Sequence, residues 1–245
     1  VAILVTSHSV IVRAAVVPYP PLLVPELVVA DVPEVAAVRR ACVAAARALA
    51  AGSRRWIAIA PGFGEVTDDA VGTFRGFGVD VRVRLTQDTE GDVDPALPLP
   101  VLVAGWLREQ ADARSVSIQL VSPDATSEQC RALGGHLAKR QDDPIGLLVL
   151  GDGSPRHGDR APGRPDERAD DFDNAVQKAF QAADPAALLA LDEDLATELG
   201  AQGRAPWQVL AGAAEQHGAW RCVSSELMVP FGVAYHVTVW EPGQP

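Results

Sequence analysis

The run Ile145-Gly146-Leu147-Leu148-Val149-Leu150 constrains the fold more than any other feature of this chain. It has strand length and no polar face, so it must be covered on both sides, as the central strands of parallel sheets are. Further strand-like runs rich in β-branched residues are expected at Ile11 to Val17, Trp56 to Ala60, Val79 to Leu85, Ser115 to Val121, Arg221 to Leu227 and Val233 to Trp240. In one of them Val79, Val81, Val83 and Leu85 alternate with Asp80, Arg82 and Arg84, the pattern of a strand with one wet face. Amphipathic stretches fall between the strands and predict helices over Pro33 to Ala51, Val101 to Gln110, Ser127 to Arg140, Asp166 to Ala182, Pro185 to Leu199 and Pro206 to Gly218. Thr126 or Ser127 can cap one of these helices, and Asp184-Pro185 sets an acceptor before a proline at another helix start. The alternation predicts an α/β fold, with one domain over 1–245 and a central mixed or mostly parallel sheet flanked by helices.

Composition narrows the class. In 245 residues, 48% hydrophobic, there is enough apolar surface for a sizeable core. Asp and Glu outnumber Arg and Lys by 32 to 21, and the formal net charge of -11 disfavours nucleic acid as a partner through repulsion. Every apolar run falls short of the roughly 20 residues a membrane helix needs. Val1 to Val5 are apolar but soon meet Ser7, His8 and Ser9, without a basic start or a cleavage site, so a cytoplasmic address is expected and a membrane is not. Cys42, Cys130 and Cys222 are odd in number and widely spaced, which predicts three reduced packing residues. Pro242 to Pro245 read as a frayed end.

A long irregular segment, Gly151 to Arg168, follows the buried run directly. Ligands of open α/β sheets sit beyond the carboxyl ends of strands, so a binding cleft is expected where this segment starts.

Four motifs in order carry a family resemblance. They are Pro18-Tyr19-Pro20-Pro21 within a proline-rich turn, Ile57 to Ala60 followed by Pro61-Gly62-Phe63-Gly64, Gly151-Asp152-Gly153-Ser154-Pro155-Arg156 with Phe172-Asp173 and Asp192 to Leu199 behind it, and Met228-Val229-Pro230-Phe231-Gly232-Val233-Ala234-Tyr235. In this order they resemble the class III extradiol ring-cleavage dioxygenase superfamily, which includes the protocatechuate dioxygenase β-subunit and the Memo proteins. The resemblance implies an iron held by two histidines and a carboxylate, with open positions for substrate and dioxygen. It also implies that this chain has lost that site. Tyr19 and Gly62 stand where the family has its histidine ligands, Met228 where it has its glutamate, and Pro155 where it has its acid/base histidine.

Two readings follow. The first is a metal-free relative, not an active dioxygenase, that binds a small molecule or a protein; Tyr19, Asp152, Ser154, Arg156 and His157 are its candidate pocket, and a homodimer is implied by the family. In it, Asp152 could instead cap its own loop and pair with Arg156. The second is a metal-dependent dioxygenase or hydrolase, on non-haem iron or zinc, with ligands relocated to His157, Glu226 and Glu65. A two-residue slip along a strand moves a side chain by about 6 to 7 Å, against a coordination bond near 2 Å, so the metal-free reading is preferred and His157 is expected to be an exposed loop residue. A third, metal-independent enzyme using Asp152, Tyr19 or His157 for proton transfer would show a strongly shifted ionisation in the cleft.

The remaining signals are weak. His8, His136, His217 and His236 never fall at metal-ligand spacing and read as structural or exposed. Gly151-Asp152-Gly153-Ser154 lacks the further glycines or the Gly-Lys ending of a nucleotide loop, and Ser154 lacks a nucleophile elbow.

Overall fold

A computed structural model describes residues 11–28, 32–139 and 143–243. Nine strands and seven α-helices follow one another along these residues. Six strands form one sheet in the order β6 (Ser115–Val121), β2 (Arg55–Pro61), β7 (Ile145–Leu150), β1 (Ile11–Val17), β9 (Tyr235–Pro242) and β8 (Trp220–Met228). The first four are parallel, whereas β9 runs antiparallel to β1 and β8 antiparallel to β9. The sheet is therefore mixed and mostly parallel, as the sequence pattern predicts.

The apolar run at 145–150 is the third strand of six and is buried along its whole length. Its side chains alternate between two cores. Leu147 and Val149 face a layer containing α3 (Ser127–Lys139), α4 (Arg168–Ala182) and α7 (Arg204–Ala214), while Leu148 and Leu150 face α1 (Pro33–Gly52) and α2 (Leu99–Gln110). Neighbouring β1 splits the same way, with Ala14 and Val16 in the first core and Ala15 and Val17 in the second. Two apolar faces on one strand thus produce a three-layer α/β/α stack. Among the described residues no helix is long and apolar enough to cross a membrane. Cys42 and Cys130 are buried, Cys222 is partly buried, and all three are free thiols.

Departures from the expected elements have local causes. The strand expected at Val79 to Leu85 shrinks to β4 (Arg82–Arg84), which joins β3 (Val71–Thr73) and β5 (Val93–Asp94) in a second, small sheet. Those two partners are too short to leave a periodic signal. The helix expected over Pro185 to Leu199 breaks into α5 (Pro185–Leu189) and α6 (Glu193–Leu199), because Asp192 accepts the Leu195 N–H and starts a new helix. Asp184 caps α5 as expected, through the Ala187 N–H. At α3 the cap is reciprocal: Thr126 Oγ1 accepts the Gln129 N–H and Gln129 Oε1 accepts the Thr126 N–H, a capping box. The last helix is Arg204–Ala214, two residues earlier at its start than expected and four shorter at its end. His8, Arg140 and the final Gln244-Pro245 lie outside the described residues.

Helices α3 and α7 pack so closely that a Cβ on Gly134 would sit 2.1 Å from the Val209 carbonyl oxygen, whereas one on Gly135 meets nothing nearer than 3.5 Å. Gly134→Ala is therefore expected to destabilise the fold by about 1–3 kcal/mol through overpacking. Gly135→Ala is expected to stabilise it, by up to about 1 kcal/mol of helix propensity. Urea unfolding of the two variants side by side checks both signs.

Candidate functional site

The carboxyl ends of the parallel strands gather the residues of three motifs. Strand β7 ends at Leu150, and the Gly151 N–H still reaches the Val17 carbonyl of β1. The next residue, Asp152, accepts the Tyr19 N–H on Oδ1 at 3.0 Å, which ties the proline-rich turn after β1 to the loop after β7. Strand β2 pairs with β7 up to Ile59 and Val149 and ends at Pro61, so Gly62 follows the carboxyl end of the same sheet, its N–H on the Val121 carbonyl of β6. Met228, at the end of β8, lies opposite Tyr235, the first residue of β9. Tyr19, Gly62, Asp152, Tyr235 and Met228 thus occupy one edge of the sheet. Large apolar residues rim it, with Phe63 71% exposed, Val229 41% and Phe231 38%. Phe231 holds a left-handed backbone (φ 54°), a strained state for a residue with a side chain, and the Arg160 guanidinium stands 5.7 Å from its ring.

Close backbone packing fixes Asp152. The Gly203 N–H at the start of α7 donates to the Asp152 carbonyl at 2.8 Å, and a Cβ on Gly151 would fall 2.4 Å from the Gly203 Cα. Only glycine at 151 allows the helix to come this near. The side chain of Asp152 is less well provided for. Its single partner among the described residues is the Tyr19 N–H, and Oδ2 has none. Burial pushes its carboxyl up to about 7, with the Tyr19 N–H opposing the shift. Arg156, expected as its counter-ion, acts instead on Asp166. Burial also raises the phenols of Tyr19 and Tyr235 and the thiol of Cys42 on α1, and in each the Asp152 charge adds to the rise. The four groups are therefore electrostatic neighbours. Yet neither phenol hydroxyl hydrogen-bonds to Asp152 or to any other described residue.

Ser154 and His157 do not belong to this group. Ser154 is fully buried and donates its hydroxyl to the Leu199 carbonyl at 2.9 Å, while its N–H donates to Asp173 Oδ2. The His157 side chain is only 6% exposed, not the free loop residue that its glycine-rich setting suggests. Its Nδ1 meets Asp170 Oδ1 and its Nε2 meets Asp173 Oδ2, both at 2.7 Å. Carboxylates only accept, so both ring nitrogens donate and the ring is an imidazolium. The Asp173 hydrogen bond raises its pKa, burial opposes, and Asp170 adds to the rise. Asp173 also accepts from His236 Nε2 at 2.9 Å, and His236 continues through Gln177 and Ser225 to Thr238. Burial alone would raise the Asp173 carboxyl, but the hydrogen bonds from the two histidines hold it below the usual range. This network is saturated, and it pins the 151–168 segment to α4. Asp173 was visible in the third motif, next to Phe172. Tyr235 closes the fourth, but only its place opposite Met228 shows it at the edge.

An iron centre does not fit these residues. Gly62 has no side chain, Met228 offers a soft thioether, and Tyr19 by itself would supply a single oxygen donor. Glu226 lines a groove with Ala41, Ala45, Val223 and Val237 rather than this edge, and both nitrogens of His157 are engaged. Among the described residues no group of three or more His, Cys, Asp and Glu side chains is placed to hold a metal ion.

The raised Asp152 fixes a pH dependence. An unfolded aspartate ionises near 3.9, so between about pH 4 and 7 the unfolded chain sheds a proton that the folded chain keeps, and stability falls as pH rises. Asp152→Asn is expected to exceed the wild type by about 2–4 kcal/mol at pH 8 and to match it at pH 4. His157 acts at a different pH. Its raised folded pKa gives stability that is complete below about 6.5 and lost as pH rises through the folded value. Denaturant titrations of Asp152→Asn and His157→Gln across this range separate the two groups.

Comparison with known proteins places the fold alone. No family model and no curated protein matches the chain. Among solved structures, the chain is similar to the uncharacterized protein JW3007 from Escherichia coli K12, with a TM-score of 0.54 and 15% identity over 94% of this chain and 99% of that one.

Proposed function

We propose that this chain is a divergent, metal-free relative of the class III extradiol dioxygenases that binds a small molecule at the carboxyl edge of its sheet. One observation carries the reading. Asp152 Oδ2 and the hydroxyls of Tyr19 and Tyr235 share one edge, influence one another electrostatically, and have no partner among the described residues. Asp152 and Tyr19 are partly exposed, and polar groups left without a protein partner at the edge where α/β sheets bind ligands are groups a ligand can satisfy. The four ordered motifs support the kinship, and all four contribute residues to this edge. Absence of the family's ligand types at Tyr19, Gly62 and Met228 supports the loss of iron. The same reading carries a cytoplasmic address and a homodimer.

A second reading draws on a specific observation. A carboxyl near 7 is suited to proton transfer at neutral pH, so a metal-independent enzyme with Asp152 as acid or base would use the same mouth. Both readings require a bound small molecule and neither requires a metal.

Elemental analysis of protein purified without chelator is expected to find iron and zinc well below one ion per chain. An oxygen electrode is expected to record no uptake with catechol, before or after incubation with iron(II). Stoichiometric metal whose retention is lost on Met228→Ala or Tyr19→Phe would overturn the proposal.

A further inference from the structure

The mouth described above also says which charge its ligand bears, an inference that rests on the small-molecule reading. Asp152 is a partly buried carboxyl with one neutral N–H donor, and it forms no ion pair with Arg or Lys among the described residues. The nearest basic residue along the chain, Arg156, serves Asp166. Elsewhere in the molecule the comparable carboxylate, Asp173, is met by two histidines and a backbone N–H. A half-buried carboxylate without a counter-charge is less fully hydrated than a surface one, and it is stabilised when a cation is brought to its open oxygen. The protein as a whole, at -11, attracts cations and repels anions.

What surrounds the carboxyl fits the rest of such a ligand. Tyr19 and Tyr235 supply two hydroxyls that stay protonated, the Tyr235 ring itself being packed in the core and its hydroxyl unpartnered among the described residues. Neutral hydroxyls accept from an N–H as readily as they donate. Met228, Phe63 and Phe231 at the edge offer apolar surface to the remainder of the molecule.

We infer that the mouth between Tyr19, Asp152 and Tyr235 is a site for a small organic amine, whose protonated nitrogen pairs with the free oxygen of Asp152 while its apolar body lies toward Met228 and the rim.

Titration calorimetry with benzylamine, benzyl alcohol and benzoate at neutral pH tests this assignment, because the three share a ring and differ in charge. Benzylamine is expected to bind roughly 10- to 100-fold more tightly than benzyl alcohol, the range for a hydrogen bond to a charged group. Asp152→Asn is expected to abolish that preference, and Tyr235→Phe, which leaves the fold's packing intact, to reduce benzylamine affinity several-fold. Each variant is checked for folding by circular dichroism. Equal or tighter binding of benzyl alcohol or benzoate, with NMR shifts at the Tyr19 and Tyr235 rings, would overturn the amine assignment and leave the small-molecule reading standing. No binding of any of the three by the folded wild type would overturn both.

Discussion

The burial of β7 on both faces is the constraint from which the rest of this structure follows. Six residues without a polar side chain require a helix layer above and another below, and once both are in place the strand's direction is fixed. The chain must then leave the sheet at Leu150, so whatever follows is set down at the carboxyl edge between the ends of β1 and β2. Gly151 lets α7 close against that exit, and Asp152 is locked there by its own carbonyl and by the Tyr19 N–H. Its chemistry is a result of its address. A carboxyl placed so tightly, with so few donors, cannot keep the ordinary acidity of a surface aspartate.

Two aspartates twenty-one positions apart show how differently one fold can treat the same group. Asp173 is wholly enclosed but meets three donors, so its charge is retained and it organises the segment from Ser154 to His157. Asp152 meets one donor and has its charge suppressed. The first arrangement is closed and has nothing left to offer an incoming molecule. The second is open, and that contrast separates architecture from site on this side of the sheet.

Much of the scaffold was legible in the residue pattern because it rests on short-range rules. β1, β6 and β7 begin and end where their apolar runs do, and the Asp184-Pro185 start of α5 follows from capping chemistry alone. What was not legible depends on contacts across the chain. The second sheet relies on strands of two and three residues that acquire meaning only when paired. The site was half legible. Tyr19 and Asp152 could be named from their motifs, but Ser154 and His157 look equally available in the sequence and are consumed by Leu199, Asp170 and Asp173. Arg156 looks like a partner for Asp152 from four residues away, but its charge is felt at Asp166 instead. Tyr235 becomes recognisable only through the β8 and β9 register.

The position of β1 has a consequence for how the molecule is made. Its two neighbours are β7, more than 120 residues later, and β9, more than 215 residues later, so each of its ladders closes a very long loop. A ribosome delivers β1 more than 215 residues before β9. Until β7 is made Ala14 to Val17 have neither companion strand, and until β9 is made they have only one, so the apolar surface they carry needs shelter from self-association. Assembly of the central layer is thereby deferred, and the edge at Tyr19 is complete only once β9 has brought Tyr235 beside it.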